Sequence, residues 1–131
     1  MATIFSKIIA GEIPCHKIAE NNEFFAFLDI NPVATGHTLV VPKEETDYIF
    51  DLNDDTLGRM ITFAKHIAAA QKIAIPCKRI GLTVIGLEVP HAHIHLVPIT
   101  KESDIYFGKD KQKPSQEELS KIAAKIKNAY K

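Results

Sequence analysis

Between His91 and Leu96 the chain alternates histidine with an apolar residue, reading His-Ala-His-Ile-His-Leu, and Val97-Pro98 follows. A period of two belongs to an extended strand, where successive side chains point to opposite faces. A helix would scatter the same residues around its circumference. As a strand, the segment sets His91, His93 and His95 on one face and Ala92, Ile94 and Leu96 on the other. The apolar face can join a core while three imidazoles line a site. With six histidines in 131 residues, chance alone would place this spacing in about one such chain in a hundred.

The rest of the chain must then supply a sheet for this strand and helices to cover it. Ile4, Phe5, Ile8 and Ile9 give a short N-terminal helix that Thr3 can cap and Gly11 can end, with Pro14 as a further stop. Strands are expected near residues 15–19 and 24–29, split by the turn former Asn21-Asn22. Asn31-Pro32 and Thr35-Gly36 mark a loop, and Thr38 to Val41 a short buried strand that Pro42 closes. Asn53 or Asp54 caps a long helix with Leu57, Met60, Ile61, Ala64, Ile67 and Ala68 at helical spacing, limited by Pro76. Arg79 to Gly86 and Ala92 to Ile99 read as strands, and Lys101 to Lys113 as a mobile polar loop. Ser115 and Glu118 form a capping box for a last helix lined by Leu119, Ile122, Ala123 and Ile126. The order predicts an α+β fold with a mostly antiparallel sheet, one long central helix, and short N- and C-terminal helices. Residues 1–131 are expected to form one domain.

Composition narrows the function. Sixteen basic and sixteen acidic side chains cancel, so the basic footprint of a nucleic-acid binder is missing. No apolar run approaches the roughly 18–20 residues of a membrane helix, and no secretory signal is read at the N-terminus. Cys15 and Cys77 form no CxxC pair, which suits two free thiols in a reducing cytoplasm.

Three readings of the histidine cluster stand at this point. It could be a solvated strand face. It could chelate a metal, since histidines at i and i+2 can bind zinc, with Glu88 and His37 as further candidates. Against that, the outer Cα atoms of a five-residue strand lie roughly 13 Å apart, which strains a single tetrahedral site using all three rings. Or it could perform nucleophilic catalysis at phosphorus. A neutral imidazole is a good nucleophile near pH 7, and flanking rings can donate to phosphate oxygens and a leaving group.

With its surroundings, the cluster resembles the histidine-triad family, its compact branch of purine nucleoside phosphoramidases in particular. The motif His-x-His-x-His-x-x with apolar x fits His91 to Val97. Phe27-Leu28-Asp29-Ile30-Asn31-Pro32, then Gly36-His37-Thr38-Leu39-Val40-Val41-Pro42-Lys43, agree as well. So do Ile4-Phe5, Lys7-Ile8-Ile9 and Glu12-Ile13-Pro14. The resemblance implies a homodimer that binds a purine nucleotide or nucleoside phosphoramidate. It implies hydrolysis at the α-phosphate through a nucleotidyl intermediate on His93, with His91 and His95 supporting phosphate binding and proton transfer. His37 would orient a ring from behind. Asp29 would accept the ribose hydroxyls, for which a carboxylate's two oxygens are suited, beside Ile30. Phe5, Ile8 and Phe27 would wall the base, and Gly86 and Glu88 would border the phosphate. A dinucleoside polyphosphate hydrolase, or a nucleotide-binding protein with weak or no catalysis, are the alternatives.

Two departures from the family pattern carry expectations of their own. Relatives have an Asn-Gly-rich loop ending in Gly-Gln between the two late strands. Here Leu82 to Ile85 runs straight to Gly86-Leu87-Glu88, and Leu87 replaces the glutamine. Losing one preorganised donor typically costs about 10²–10³-fold in rate. Many bacterial relatives also bind structural zinc through two N-terminal cysteines and a later histidine. The matching positions are Thr3, Ser6 and about Thr46, so no metal and no cofactor are expected. His16 and His66 are expected on the surface; Lys109, Lys111 and Lys113 could steer an anionic ligand, but a solvated loop is the stronger expectation.

Overall fold

The structure, a computed structural model, describes residues 2–131. Helix α1 spans Ile4–Ile9, strand β1 Lys17–Glu20, β2 Phe24–Leu28 and β3 Thr38–Pro42. A 3-10 turn at Ile49–Asp51 leads into helix α2, Asp54–Ala74. Strands β4 (Arg79–Thr83) and β5 (Ile94–Ile99), a second 3-10 turn at Glu102–Ile105, and helix α3 (Gln116–Ala129) complete the chain. The five strands form one sheet in the order β1-β2-β3-β5-β4, and every neighbouring pair is antiparallel. The α+β architecture expected from the sequence is the one observed, although α3, at 14 residues, is longer than a short terminal helix.

Local chemistry explains the boundaries. Asn21 Oδ1 accepts from the amides of Glu23 and Phe24, at 2.9 and 2.8 Å, and so turns β1 into β2. Of the two candidate caps for α2, Asn53 takes the role, its Oδ1 accepting from Thr56 N at 2.8 Å. Ser115 and Glu118 make the expected capping box on α3. Gly36 has φ +88°, and a Cβ there would meet Ile75 Cγ1 at 3.0 Å, so only glycine fits the turn that delivers His37 to β3.

The sheet is covered on both faces. Phe24, Ala26, Leu28, Val40, Ile94 and Leu96 pack with Met60, Phe63, Ala64 and Ile67 of α2 and with Leu119, Ala123 and Ile126 of α3. The opposite face carries Phe25, Phe27, Leu39 and Val41 against Phe5 and Ile8 of α1. This double burial is why β2 and β3 read as unbroken apolar runs. Truncating a core phenylalanine such as Phe24 to alanine in such a setting costs about 3–5 kcal/mol.

Several sequence expectations need correction. Ile61 on α2 is exposed and Ala68 only half-buried; the buried stripe runs instead through Met60, Phe63, Ala64, Ile67, Ala70 and Gln71. Gln71 is fully buried because its Nε2 donates to the carbonyls of Gly36 and Leu96, at 2.9 and 3.0 Å, pinning α2 to the sheet. Strand β4 stops at Thr83 rather than Gly86, and β5 starts at Ile94 rather than Ala92. The ladder cannot extend further because its groups are taken: Ala92 N donates to Thr46 O at 2.7 Å, and Pro42 O accepts from the His91 ring. The expected mobile loop at 101–113 is a folded segment. It contains the second 3-10 turn, and Gln112 N ties it to Pro32 O at 2.9 Å.

Candidate functional site

The predicted alternation survives although only His95 lies within the ladder. Ala92, Ile94 and Leu96 enter the core beneath α2. His91, His93 and His95 take the other side, where His95 is in register with Leu39 and Thr83. His93 and His95 face each other with ring centroids 4.8 Å apart. They line a cleft of about 410 Å³ together with Phe5, Asp29, Asn31, Gly86, Glu88, Phe107 and Lys111, among others.

The hydrogen bonds assign the proton on each ring. Val33 N donates to His37 Nδ1 at 3.2 Å, so the proton of neutral His37 sits on Nε2. That N–H donates to His95 Nδ1 at 3.0 Å, which leaves His95 with its own proton on Nε2. His93 is set the other way. Its Nδ1 lies 2.8 Å from the carbonyl of His91, which can only accept, so Nδ1 carries the hydrogen and Nε2 keeps a lone pair. Gln71 Oε1 is the one buried side-chain oxygen or nitrogen lacking a partner among the described residues. The unbonded Nε2 atoms of His93 and His95 are therefore reached by solvent. The cleft thus holds a lone pair and an N–H on adjacent rings.

Burial keeps these rings neutral at pH 7. It pushes His37 down to about 3, helped by the charges of His95 and Lys111. It pushes His95 down to about 4, helped by His93 and Lys111. His93 is also lowered, first by burial, against the hydrogen bond to the His91 carbonyl. Burial raises the carboxyl of Asp29, which accepts from Asn31 N at 2.8 Å. Asp29 Oδ2 stands 3.8 Å from His37 Nε2, but a neutral His37 makes no ion pair with it.

The expected site residues separate into two groups. His93, His95, Asp29, Phe5, Gly86 and Glu88 line the cleft. His37 stands behind His95, and Gly86 turns the β4–β5 connection with φ +74°. Ile8 and Phe27 belong to the core, and Ile30 points to solvent. His91 departs most from expectation. Its ring is fully buried, Nε2 donates to Pro42 O and Nδ1 accepts from Thr3 Oγ1, both at 2.7 Å. What it offers the site is its backbone carbonyl. Phe107 enters the cleft without having been expected there, and Lys111 lines it although a solvated loop was the stronger expectation. Phe107 sits edge-on to His95 at 4.7 Å and to His37 at 5.6 Å. Their segment has no periodicity to announce it.

Two donor sets invite a metal and neither fits. Atoms of Asp29, His37 and His95 lie within 4.8 Å of one another. Val33 N, however, holds the lone pair of His37 on Nδ1 and its proton on Nε2, the atom that would face an ion. Near His91, Thr3 and Ser6 present hydroxyls where zinc needs thiolates. These hydroxyls are already used: Thr3 Oγ1 accepts from Ser6 N at 3.0 Å and donates to His91, while Ser6 Oγ accepts from Thr3 N at 2.7 Å.

Residues 10–102 match the HIT domain model. The adenosine 5'-monophosphoramidase HNT1 of Saccharomyces cerevisiae is 36% identical over 123 residues, covering 92% of this chain and 78% of that protein. A Hit-like protein from Bartonella henselae superposes with a TM-score of 0.85 at 32% identity, covering 97% of this chain and 95% of that one. A Zn-bound histidine triad family protein from Mycobacterium smegmatis gives 0.84 at 26% identity, covering 98% and 93%. With the motif, the sheet and the placement of the histidines in agreement, the chain belongs to the HIT domain family.

Proposed function

We propose that the protein hydrolyses a nucleoside phosphoramidate, or a related nucleotide, at the α-phosphate through a covalent nucleotidyl intermediate on His93. The observation that carries this reading is the opposite tautomers of the two cleft imidazoles. His93 is held with its Nε2 lone pair free, and His95 with its Nε2–H free. In the first step the phosphoramidate nitrogen takes a proton from solvent, His93 Nε2 bonds to phosphorus, and the P–N bond breaks with its electron pair going to that nitrogen, so that a neutral amine leaves. His95 Nε2–H donates to the oxygens on which charge builds. Water then attacks the same phosphorus and loses a proton to solvent, the His93–phosphorus bond breaks with its electron pair returning to Nε2, and neutral His93 is restored. Asp29, at the cleft wall, accepts the ribose hydroxyls, and Phe5 packs against the base. The similarity to an adenosine 5'-monophosphoramidase supports a purine.

The same reading makes residues 1–131 one catalytic domain acting as a homodimer. Strand β4 is an edge of the sheet. Beside it, Tyr48, Phe50, Ile61, Leu82 and Ile85 line an apolar groove of about 570 Å³. Two copies pairing β4 to β4 about a two-fold axis would cover both the open edge and the groove. Light scattering should give twice the 14.6 kDa chain mass. The cytoplasm is the compartment this reading favours, since Cys15 and Cys77 are free thiols. No helix among the described residues is long and apolar enough to cross a membrane.

Intact-protein mass spectrometry after brief mixing with adenosine 5'-phosphoramidate tests the chemistry. One adenylyl adduct, absent from His93→Ala, is the expected result. AMP binding without adduct or product would favour a nucleotide-binding protein instead. That outcome would fit the position of Leu87, 88% exposed on the β4–β5 connection that borders the cleft.

A further inference from the structure

We propose that Lys111, carried by the connection between the second 3-10 turn and α3, is the cation that holds the substrate's phosphate. The inference rests on the reading that this cleft takes a nucleotide. It follows first from charge. The ionisable groups lining the cleft are Asp29, Glu88, His93, His95 and Lys111. Both rings are neutral at pH 7, because burial lowers them. That leaves two carboxyl groups and one ammonium. A phosphate monoester or diester entering beside two carboxyls needs a positive partner, and among the described residues lining the cleft Lys111 alone supplies one. Its charge already reaches the catalytic rings, where it helps to keep His37 and His95 unprotonated and lowers Asp29 against burial.

It follows next from how the segment is held. Upstream, Phe107 lies edge-on to His95 and His37. Lys109 Nζ donates to the carbonyls of Ser103 and Asp104, at 3.0 and 3.3 Å, closing the segment onto the 3-10 turn. Downstream, Gln112 N donates to Pro32 O at 2.9 Å, next to the Asp29–Asn31 turn. Lys111 is thus fastened on both sides over the cleft. No side-chain hydrogen bond or ion pair among the described residues engages its own ammonium. Three lysines at alternate positions therefore have three fates. Lys109 is a structural clasp, Lys111 faces the cleft, and Lys113 lies outside it. Leu87, on the β4–β5 connection, is apolar and brings no side-chain donor to the cleft.

Calorimetric titration of the full-length protein with AMP and, separately, with adenosine isolates the phosphate contact. Lys111→Met should weaken AMP roughly 10- to 100-fold, the range of a hydrogen bond to a charged group, and leave adenosine unchanged. Its AMP affinity should also lose much of the wild type's salt dependence. Lys111→Arg should keep most of the affinity, and Lys113→Met should match wild type. Wild-type AMP affinity in Lys111→Met would overturn the assignment, as would an equal loss for adenosine, which has no phosphate. Either result leaves the proposed reaction standing if the wild type forms the adenylyl adduct. A wild type that neither binds AMP nor forms the adduct overturns both.

Discussion

The two ends of the five-residue histidine run are made of the same side chain at the same spacing, yet they do different work. At one end, both ring nitrogens of His91 are engaged, by Pro42 O and Thr3 Oγ1, and the ring is out of contact with solvent. At the other end, His93 and His95 each commit only Nδ1 and leave Nε2 open to the cleft. On the proposed mechanism, what separates a structural histidine from a reactive one is the number of nitrogens the fold consumes, not position in the motif. The locked end also serves the open one. The His91 carbonyl fixes the tautomer of His93, and Val33 N fixes that of His95 through His37.

Removing the open ring should give the largest effect. His93→Ala should lower kcat/KM on adenosine 5'-phosphoramidate by more than about 10³-fold, since no other imidazole presents a free lone pair to the cleft. Its stability should fall by about 1–2 kcal/mol, because the lost ring gives up one hydrogen bond and its edge-on contacts with Phe5 and His95 at the wall of an open cleft. His91→Ala should do the reverse. It empties a buried site and strands a carbonyl and a hydroxyl, which predicts a loss of about 2–4 kcal/mol in chemical denaturation. The backbone carbonyl that orients His93 remains, so the folded fraction should retain turnover. A stable but inactive His91→Ala would abolish the distinction between the two ends.

Acid sharpens the same contrast. His37 and His95 titrate near 3 and 4 in the fold, against about 6.5 when unfolded. Between those values the unfolded chain binds protons that the native rings refuse, so stability falls as pH drops below about 6.5. The slope should approach about 1.4 kcal/mol per pH unit for each ring. Asp29 opposes this at the acid end, since its raised carboxyl favours the protonated fold as pH falls. Urea denaturation at pH 7.5 and pH 5 measures the difference. Equal stabilities would mean that the His37–His95 pair is hydrated rather than buried.

The legible and illegible parts of the molecule divide along physical lines. The histidine alternation was readable because one face had to be apolar for the segment to be buried, and the turns were readable because Asn21, Gly36 and Ser115 act locally. The tautomers were not, because they depend on the amide of Val33 and the carbonyl of His91, groups every residue has. The burial of Gln71 was also hidden. A polar residue on a helix looks like surface until two carbonyls from distant strands converge on it. Phe107 and Lys111 reach the cleft from a segment whose path is set by three isolated contacts rather than by a repeating pattern. The ends of β4 and β5 were overextended because sequence carries the alternation but not the diversion of ladder groups to side chains.

Thr3→Val should have the smallest effect and is the finest test of the locked end. Valine matches threonine in shape, so the volume beside His91 is preserved while the hydroxyl is lost. Two bonds go with it: the 3.0 Å cap on Ser6 N and the 2.7 Å bond to His91 Nδ1. A lost cap costs about 1 kcal/mol and an unsatisfied buried acceptor about as much again. Part of this returns as the open α1 terminus and the ring recruit water, so a net loss of about 1–2 kcal/mol is expected. Thr3→Ser should recover most of it, since the serine hydroxyl can make both bonds. Turnover by folded Thr3→Val should match wild type, because Thr3 touches the ring of His91 and none of the cleft groups. If Thr3→Val instead kept its stability and lost turnover, the hydroxyl would be tuning His93 through His91, and the locked end would belong to the chemistry after all.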